Sequence, residues 1–350
     1  MNTQIVKIKN LRCDSDGLNA AAKILREGGL VAFPTETVYG LGANALSEAA
    51  VLKIYEAKGR PSDNPLIIHI AQPEDVFLFA KEVSSLSMKL MEIFWPGPLT
   101  LIFKKTEIIS HYITGGLETV AIRLPSNEIA RSIIQKAGCP IAAPSANSSG
   151  KPSPTRAKHV IEDLEGRVDM IVDGGKALIG LESTVLDVTG EIPIILRPGS
   201  ITKGMLEKAV GTILLDQALL QVDENTVPKA PGMKYKHYAP KGHLIVVEGT
   251  KERATEWINE QVALKIPQGS KIAIIATQED AALYQCENIT LIGSESNATE
   301  IASNLFKVLR SMDELKIEWI YTRVFSEDDI GMATMNRLMK AAGNQKVSLY

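Results

Sequence analysis

From His243 onward the chain alternates two kinds of run, and that alternation constrains its fold more than any other feature. Short apolar runs at Leu244 to Val247, Lys271 to Ile275, Thr290 to Ile292 and Glu318 to Val324 read as strands. Between and after them, Lys251 to Val262, Ala298 to Leu315 and Met332 to Ala342 carry helical spacing. Strand–helix alternation predicts a small parallel sheet covered by helices, because parallel neighbours need a crossover long enough to hold a helix. No phosphate loop and no clustered catalytic side chains occur there, so this part reads as a compact accessory domain. With 350 residues the chain exceeds what one hydrophobic core serves. The reading is a catalytic domain over 12–201, a linker over 202–241 and the accessory domain over 242–350.

The first domain is organised around Lys58-Gly59-Arg60-Pro61-Ser62-Asp63-Asn64-Pro65. A helix-like run, Glu48 to Ala57, leads in and a strand-like run, Leu66 to Ile70, leads out. Gly and Pro stop the helix, so two fixed cations arrive on a connection. A helix C-terminus complementing the macrodipole would account for Lys58 but less well for Arg60, which lies beyond the stop. Upstream, Ser15 to Glu27 reads as a helix, Leu30 to Phe33 as a buried strand, and Pro34-Thr35-Glu36-Thr37-Val38-Tyr39-Gly40-Leu41-Gly42 follows. If extended, its hydroxyls at Thr35, Thr37 and Tyr39 face one way. Gly40 to Ala45 fits the loose pattern G-x-G-x-x-A, but the first glycine stands too far from the strand for a dinucleotide fingerprint. Gln72 to Val83 and Ser85 to Phe94 read as helices, and Trp95-Pro96-Gly97-Pro98 ends the second. In the strand Glu118 to Leu124, Thr119, Ala121 and Arg123 share a face. An arginine there faces water or meets an anion. Ser126 is expected to cap the next helix. The loop Pro144 to Ser153 is dense in hydroxyls and amides, and is either a plain surface loop or an anion cradle. Strands end at Asp187 and at Arg197-Pro198-Gly199. Residues Ala230 to Pro240 read as a linker unusually rich in aromatic and basic residues.

The missing motifs narrow the chemistry. There is no Walker A loop, HExxH or GxSxG. Cys13, Cys139 and Cys286 are too far apart for a disulfide framework or zinc site, which fits a reducing, cytoplasmic setting. The start lacks the apolar segment of a signal peptide, and no apolar run is long enough to span a bilayer. A net charge of -3 argues against holding nucleic acid by bulk electrostatics. His69 sits in an apolar run, a pattern that favours a core histidine over a ligand contact. What remains is Lys58, Arg60, Arg123, Ser145, Asn147 and Arg197, a set suited to a polyanion such as a nucleoside triphosphate.

Four motifs resemble the YrdC-type domain: Pro34-Thr35-Glu36-Thr37-Val38-Tyr39-Gly40-Leu41, Lys58-Gly59-Arg60-Pro61, Ala143-Pro144-Ser145-Ala146-Asn147 and Leu196-Arg197-Pro198-Gly199. Pro231-Gly232-Met233 through His237-Tyr238-Ala239-Pro240, with the following domain, resembles the two-domain L-threonylcarbamoyladenylate synthases of tRNA modification. That resemblance implies an open, twisted α/β sheet with a concave basic cavity, plus a smaller Rossmann-like parallel domain. It implies condensation of L-threonine, bicarbonate and ATP to threonylcarbamoyl-AMP and pyrophosphate, with Mg²⁺ on the phosphates and no metal-ligating side chains. Other proteins would move the product to tRNA, with weak or indirect tRNA contact here. It implies Lys58, Arg60, Ser145 and Asn147 as catalytic residues. Arg60, Asn64, Thr119, Ser145, Ser153, Arg197 and a linker tyrosine, Tyr235 or Tyr238, would hold ATP, the linker acting as a lid. Thr37, His69, Arg123, Ala143 and Ser183 would hold threonine. Two other readings fit less well. An RNA-binding module would need a basic stripe with stacking aromatics, and aromatics make up 5% of the chain. Carbamoyl transfer in metal-centre maturation goes with cysteine-rich zinc modules, which are lacking.

Overall fold

A computed structural model describes residues 2–219 and 237–350. They form two compact units: one of residues up to 149 with 153–219, the other of 150–152 with 237–350.

Eleven strands of the first unit join one mixed sheet. In chain order they are β1 (Gln4–Lys7), β2 (Val31–Phe33), β3 (Gly40–Asn44), β4 (Ile67–His69), β5 (Leu99–Lys104), β6 (Thr119–Arg123), β7 (Ile141–Ala142), β8 (Met170–Asp173), β9 (Thr184–Asp187), β10 (Ile194–Arg197) and β11 (Leu214–Leu215). Their order across the sheet is β1-β8-β2-β3-β7-β4-β6-β5-β9-β10-β11. Strand side chains alternate between faces, and here the faces separate sharply. Ile68, Leu101, Val120, Ile122, Leu186 and Ile195 enter the main core. Ile67, Ile102, Ala121, Val185 and Leu196 form a smaller cluster on the opposite face. His69 and Arg123 share that second face by the same alternation, and they are direct register partners of β4 and β6.

Helices cover the sheet for local reasons. Ser15–Arg26 buries Leu18, Ala21, Ala22 and Leu25, a helical stripe that packs with Ile133, Ile134 and Ala137 of helix Glu128–Ala137. Helix Glu48–Lys58 starts where the Ser47 hydroxyl accepts from the Ala50 N–H. It ends at Gly59, whose φ of 62° is the left-handed conformation glycine adopts without a Cβ penalty.

The second unit holds β12 (His243–Glu248), β13 (Ile272–Thr277), β14 (Ile289–Gly293), β15 (Trp319–Arg323) and β16 (Lys346–Ser348). All neighbours are parallel, in the order β14-β13-β15-β12-β16. Helices Lys251–Lys265, Ala298–Glu314 and Ile330–Ala341 alternate with the strands as the sequence pattern requires. Buried Asp280, just beyond β13, joins Lys251 and Arg323, and Arg323 also reaches Glu295.

Several local expectations are corrected. Gln72 to Val83 is not one helix: a 3-10 turn at Pro73–Asp75 and helix Val76–Phe79 are all that forms. The chain then pairs with the end of β5, through a bridge from Ala80 to Lys105 and a hydrogen bond from Lys81 N–H to Lys104 O. Asn127, not Ser126, caps the next helix, its Oδ1 accepting from the N–H groups of Ile129 and Ala130. Residues 34–39 are bent rather than extended. Gly40 to Ala45, already set aside as a dinucleotide fingerprint, supplies β3, antiparallel to β2. Strands β1, β11 and β16 add edges that sequence reading did not find.

Candidate functional site

Three segments far apart in sequence meet at Lys58. The residue is the last of its helix and is buried. Its ammonium donates to the backbone oxygens of Ser145 and Asn147, each at 2.5 Å, with Asn147 Oδ1 at 3.4 Å. Ser145 Oγ donates to the same Oδ1 at 2.5 Å. Backbone bonds complete the junction: Leu41 N–H to Pro144 O, Ala146 N–H to Tyr39 O, and Ser149 N–H to Lys58 O. An ammonium has three donors and no acceptor, so this geometry makes Lys58 a clamp on the 145–149 loop. The loop turns its carbonyls toward a cation of the chain itself. Arg60 folds back instead: Nη2 donates to Asn64 O at 3.3 Å and Pro65 O at 3.1 Å. The Asn64 side chain is 1% exposed, and neither its Oδ1 nor its Nδ2 has a partner. Leaving such groups unmet costs about 1–3 kcal/mol each, which structural residues usually avoid.

A second cluster is built on Arg123, at the end of β6. Nε donates to Gly97 O at 3.3 Å, Nη1 to Thr37 Oγ1 at 2.9 Å and Nη2 to Glu36 Oε1 at 2.5 Å. Both members of the ion pair are buried, with side-chain exposures of 4% and 6%. Burial would raise the Glu36 carboxyl's pKa, but the charge and hydrogen bond of Arg123 outweigh it and hold the group below its usual value. Thr35 Oγ1 donates its one proton to Val38 O at 2.6 Å, so in the 2.7 Å contact between Thr35 and Thr37 hydroxyls Thr37 is the donor. The chain of donation runs Arg123, Thr37, Thr35, Val38. Tyr39 takes no part: its hydroxyl donates to Gly175 O. Beside Arg123, His69 is pushed down to about 3 by burial and then by the Arg123 charge, and is therefore neutral. Its Nδ1 lies 3.2 Å from Ile67 O.

Ser183 and Arg197 form a third group. Arg197 donates from Nε to Ser183 O and from Nη2 to Ser183 Oγ, both at 3.1 Å, and Ser183 Oγ also meets Thr100 Oγ1 at 2.7 Å. Gly199 lets the turn after β10 lie directly on this backbone: a Cβ there would stand 2.4 Å from Thr184 N. Ser153 Oγ donates to the buried Glu182 carboxylate.

Residues 23–199 match the Sua5, YciO and YrdC family, described as "Telomere recombination", and 201–343 match "Threonylcarbamoyl-AMP synthase, C-terminal domain". The chain belongs to the Sua5/YciO/YrdC family. It is 48% identical over 97% of its length to the threonylcarbamoyl-AMP synthase of Pyrococcus abyssi, covering 98% of that protein. It is also 48% identical to the synthase of Bacillus subtilis, covering 93% of each chain. The crystal structure of P. abyssi Sua5 complexed with L-threonine superposes with a TM-score of 0.94 at 46% identity, covering 99% of this chain and all of that one.

Within this family fold, the residues singled out from sequence fall into the groups just described. Lys58, Ser145 and Asn147 are in direct contact, as are Arg123 with Thr37 and Arg197 with Ser183. Thr119 stands four residues before Arg123 on the same face of β6, and Ala143 is buried beside β4, donating its N–H to Ile67 O. Tyr238 belongs to the second unit, where it is buried with its ring stacked on Phe306 at 5.0 Å. Tyr235 lies outside the described residues, as does the stretch 220–236 of the expected lid. Sequence reasoning missed Glu36, Glu182 and Thr100. The signal for Glu36 was present: an arginine inside a strand needs an anion, and an acid stood in the neighbouring Pro-Thr-Glu-Thr motif.

Proposed function

We propose that this chain is a threonylcarbamoyl-AMP synthase, condensing L-threonine, bicarbonate and ATP. The observation that carries the reading is kinship at 48% identity along nearly the whole chain with proteins of that name. The threonine amine and bicarbonate form a carbamate and release water. A carbamate oxygen then attacks the α-phosphorus, and pyrophosphate departs. Both reactants are anions, so the site must offset their repulsion. Arg60, on a turn next to the unsatisfied Asn64 amide, suits the triphosphate, as does Arg197. Lys58 sets the 145–149 loop; Asn147 Nδ2 would donate to phosphate or ribose oxygens, as would Ser145 once its hydroxyl turns from Asn147 Oδ1, and Ser153 and Thr119 would complete the nucleotide site. Mg²⁺ would arrive on the triphosphate and neutralise part of its charge.

Arg123 suits the threonine carboxylate. Guanidinium has five N–H donors; three are engaged by Gly97, Thr37 and Glu36, and two remain for a ligand. Thr37, His69, Ala143 and Ser183 would line the same pocket. A site that hydrogen-bonds the threonine hydroxyl rejects valine, which leaves those groups unmet. The product would pass to a tRNA threonylcarbamoyl transferase. Pyrophosphate release with ATP and bicarbonate, with threonine present or absent, tests the reading. Release that requires threonine, with threonylcarbamoyl-AMP detected by mass spectrometry, supports it. Release indifferent to threonine, or equal with valine, overturns it.

A further inference from the structure

The Arg123–Glu36 pair sets what kind of molecule the amino-acid pocket can attract. Unpaired, a buried guanidinium draws any carboxylate. Here it is already neutralised by Glu36 Oε1 at 2.5 Å, and neighbouring His69 carries no charge. The arginine keeps hydrogen-bond donors but not its net charge. The second carboxylate oxygen, Glu36 Oε2, is buried and without a hydrogen-bond partner. The N–H groups of Glu36 and Ser126 lie close enough to help lower the carboxyl's pKa, yet neither makes a hydrogen bond to it. A buried acceptor left unmet beside a half-satisfied guanidinium presents both signs of charge in one place.

We propose that Glu36 is a specificity-determining residue that makes this pocket select a zwitterionic α-amino acid over the corresponding acid without an amine. The inference rests on the threonine-pocket reading of Arg123. A zwitterion brings a carboxylate to the free donors of Arg123 and a cationic amine to the field of Glu36. A plain carboxylate brings a second negative charge to a guanidinium whose own charge Glu36 already matches, and the like charge of Glu36 disfavours it. Glu36 would act through charge balance and through the orientation of Arg123, without taking a proton from the reacting atoms.

The matched probe is 3-hydroxybutyrate, which is threonine without its α-amine. Calorimetric dissociation constants of both ligands are to be measured for the native chain, Glu36→Gln and Glu36→Asp. The native chain should favour threonine; Glu36→Gln should shift the ratio toward 3-hydroxybutyrate by about tenfold or more, and Glu36→Asp should restore much of the native ratio. Loss of threonine affinity in Glu36→Gln with an unchanged ratio would mean a merely structural role and would overturn the inference. A second measurement needs no variant. In buffers of different ionisation enthalpy, 3-hydroxybutyrate should bind the native chain with proton uptake, as Glu36 is driven toward its neutral form, whereas threonine should not. Equal proton stoichiometry for both ligands would overturn it. Threonine binding with an unchanged ratio sinks this inference alone; no threonine binding by the native chain sinks the pocket reading as well.

Discussion

Arg123→Met tests how much of the first unit's stability hangs on one ion pair. Methionine keeps most of the buried stem and removes the charge. Glu36 is then a buried carboxylate with no counter-charge, since the side chains of this pair are 4% and 6% exposed. Breaking such a pair from one side costs about 3–5 kcal/mol, a large part of the roughly 5–15 kcal/mol that keeps a domain folded. Glu36→Gln should cost less, because its amide oxygen can still accept from Nη2. The double variant should recover part of the Arg123→Met loss. Urea denaturation can follow Trp95, the one tryptophan of the first unit, after Trp257 and Trp319 are replaced by Phe. The pH dependence has a definite sign. In the native chain the folded Glu36 pKa lies below its ordinary value of 4.5, so the pair's contribution is complete above that value and is lost as pH falls through the folded one. In Arg123→Met burial loses its main opponent, and the carboxyl rises relative to native. The deficit relative to native should therefore be largest at neutral pH and shrink toward pH 4. A loss below about 0.5 kcal/mol, or single effects that simply add, would refute the coupling.

Three further outcomes follow from the geometry. Arg60→Ala should abolish threonine-dependent pyrophosphate release while leaving the circular dichroism spectrum intact; native turnover in that variant would remove the Lys58–Arg60 turn from the mechanism. Gly199→Ala should destabilise the first unit by about 1–3 kcal/mol, because the new Cβ would stand 2.4 Å from Thr184 N, and an unchanged urea midpoint would count against that close approach. His69, held near 3, should show flat ring-proton NMR shifts from pH 5 to 8. The unfolded chain takes that proton at about 6.5, so stability should fall as pH drops from there toward 3, and less so in His69→Gln.

What can be read along the chain is what depends on near neighbours. Helical spacing at Leu18, Ala21, Ala22 and Leu25, the Ser47 cap, the Gly59 stop and the strand–helix rhythm after His243 are local, because each rests on backbone geometry within a few residues. The motifs that carry the family likeness are local too. The edge strands were not legible: Gln4–Lys7 and Lys346–Ser348 are largely exposed and carry no apolar alternation, so only pairing with β8 and β12 makes them strands. Leu214–Leu215 joins β10 in the same way.

The site belongs to the other category. Composition supplied the cations but not their partners. Glu36 and Arg123 stand 87 positions apart, and Lys58 and Asn147 stand 89 apart. Whether a cation meets a ligand, a carboxylate or a loop carbonyl depends on which strands lie side by side. The register of β4 against β6 set His69 beside Arg123, and the bend at 34–39 brought Thr35 and Thr37 together while sending Tyr39 elsewhere. Electrostatic and hydrogen-bond energies depend on distances of a few ångströms and on exclusion of water, and both come into being only when remote segments pack.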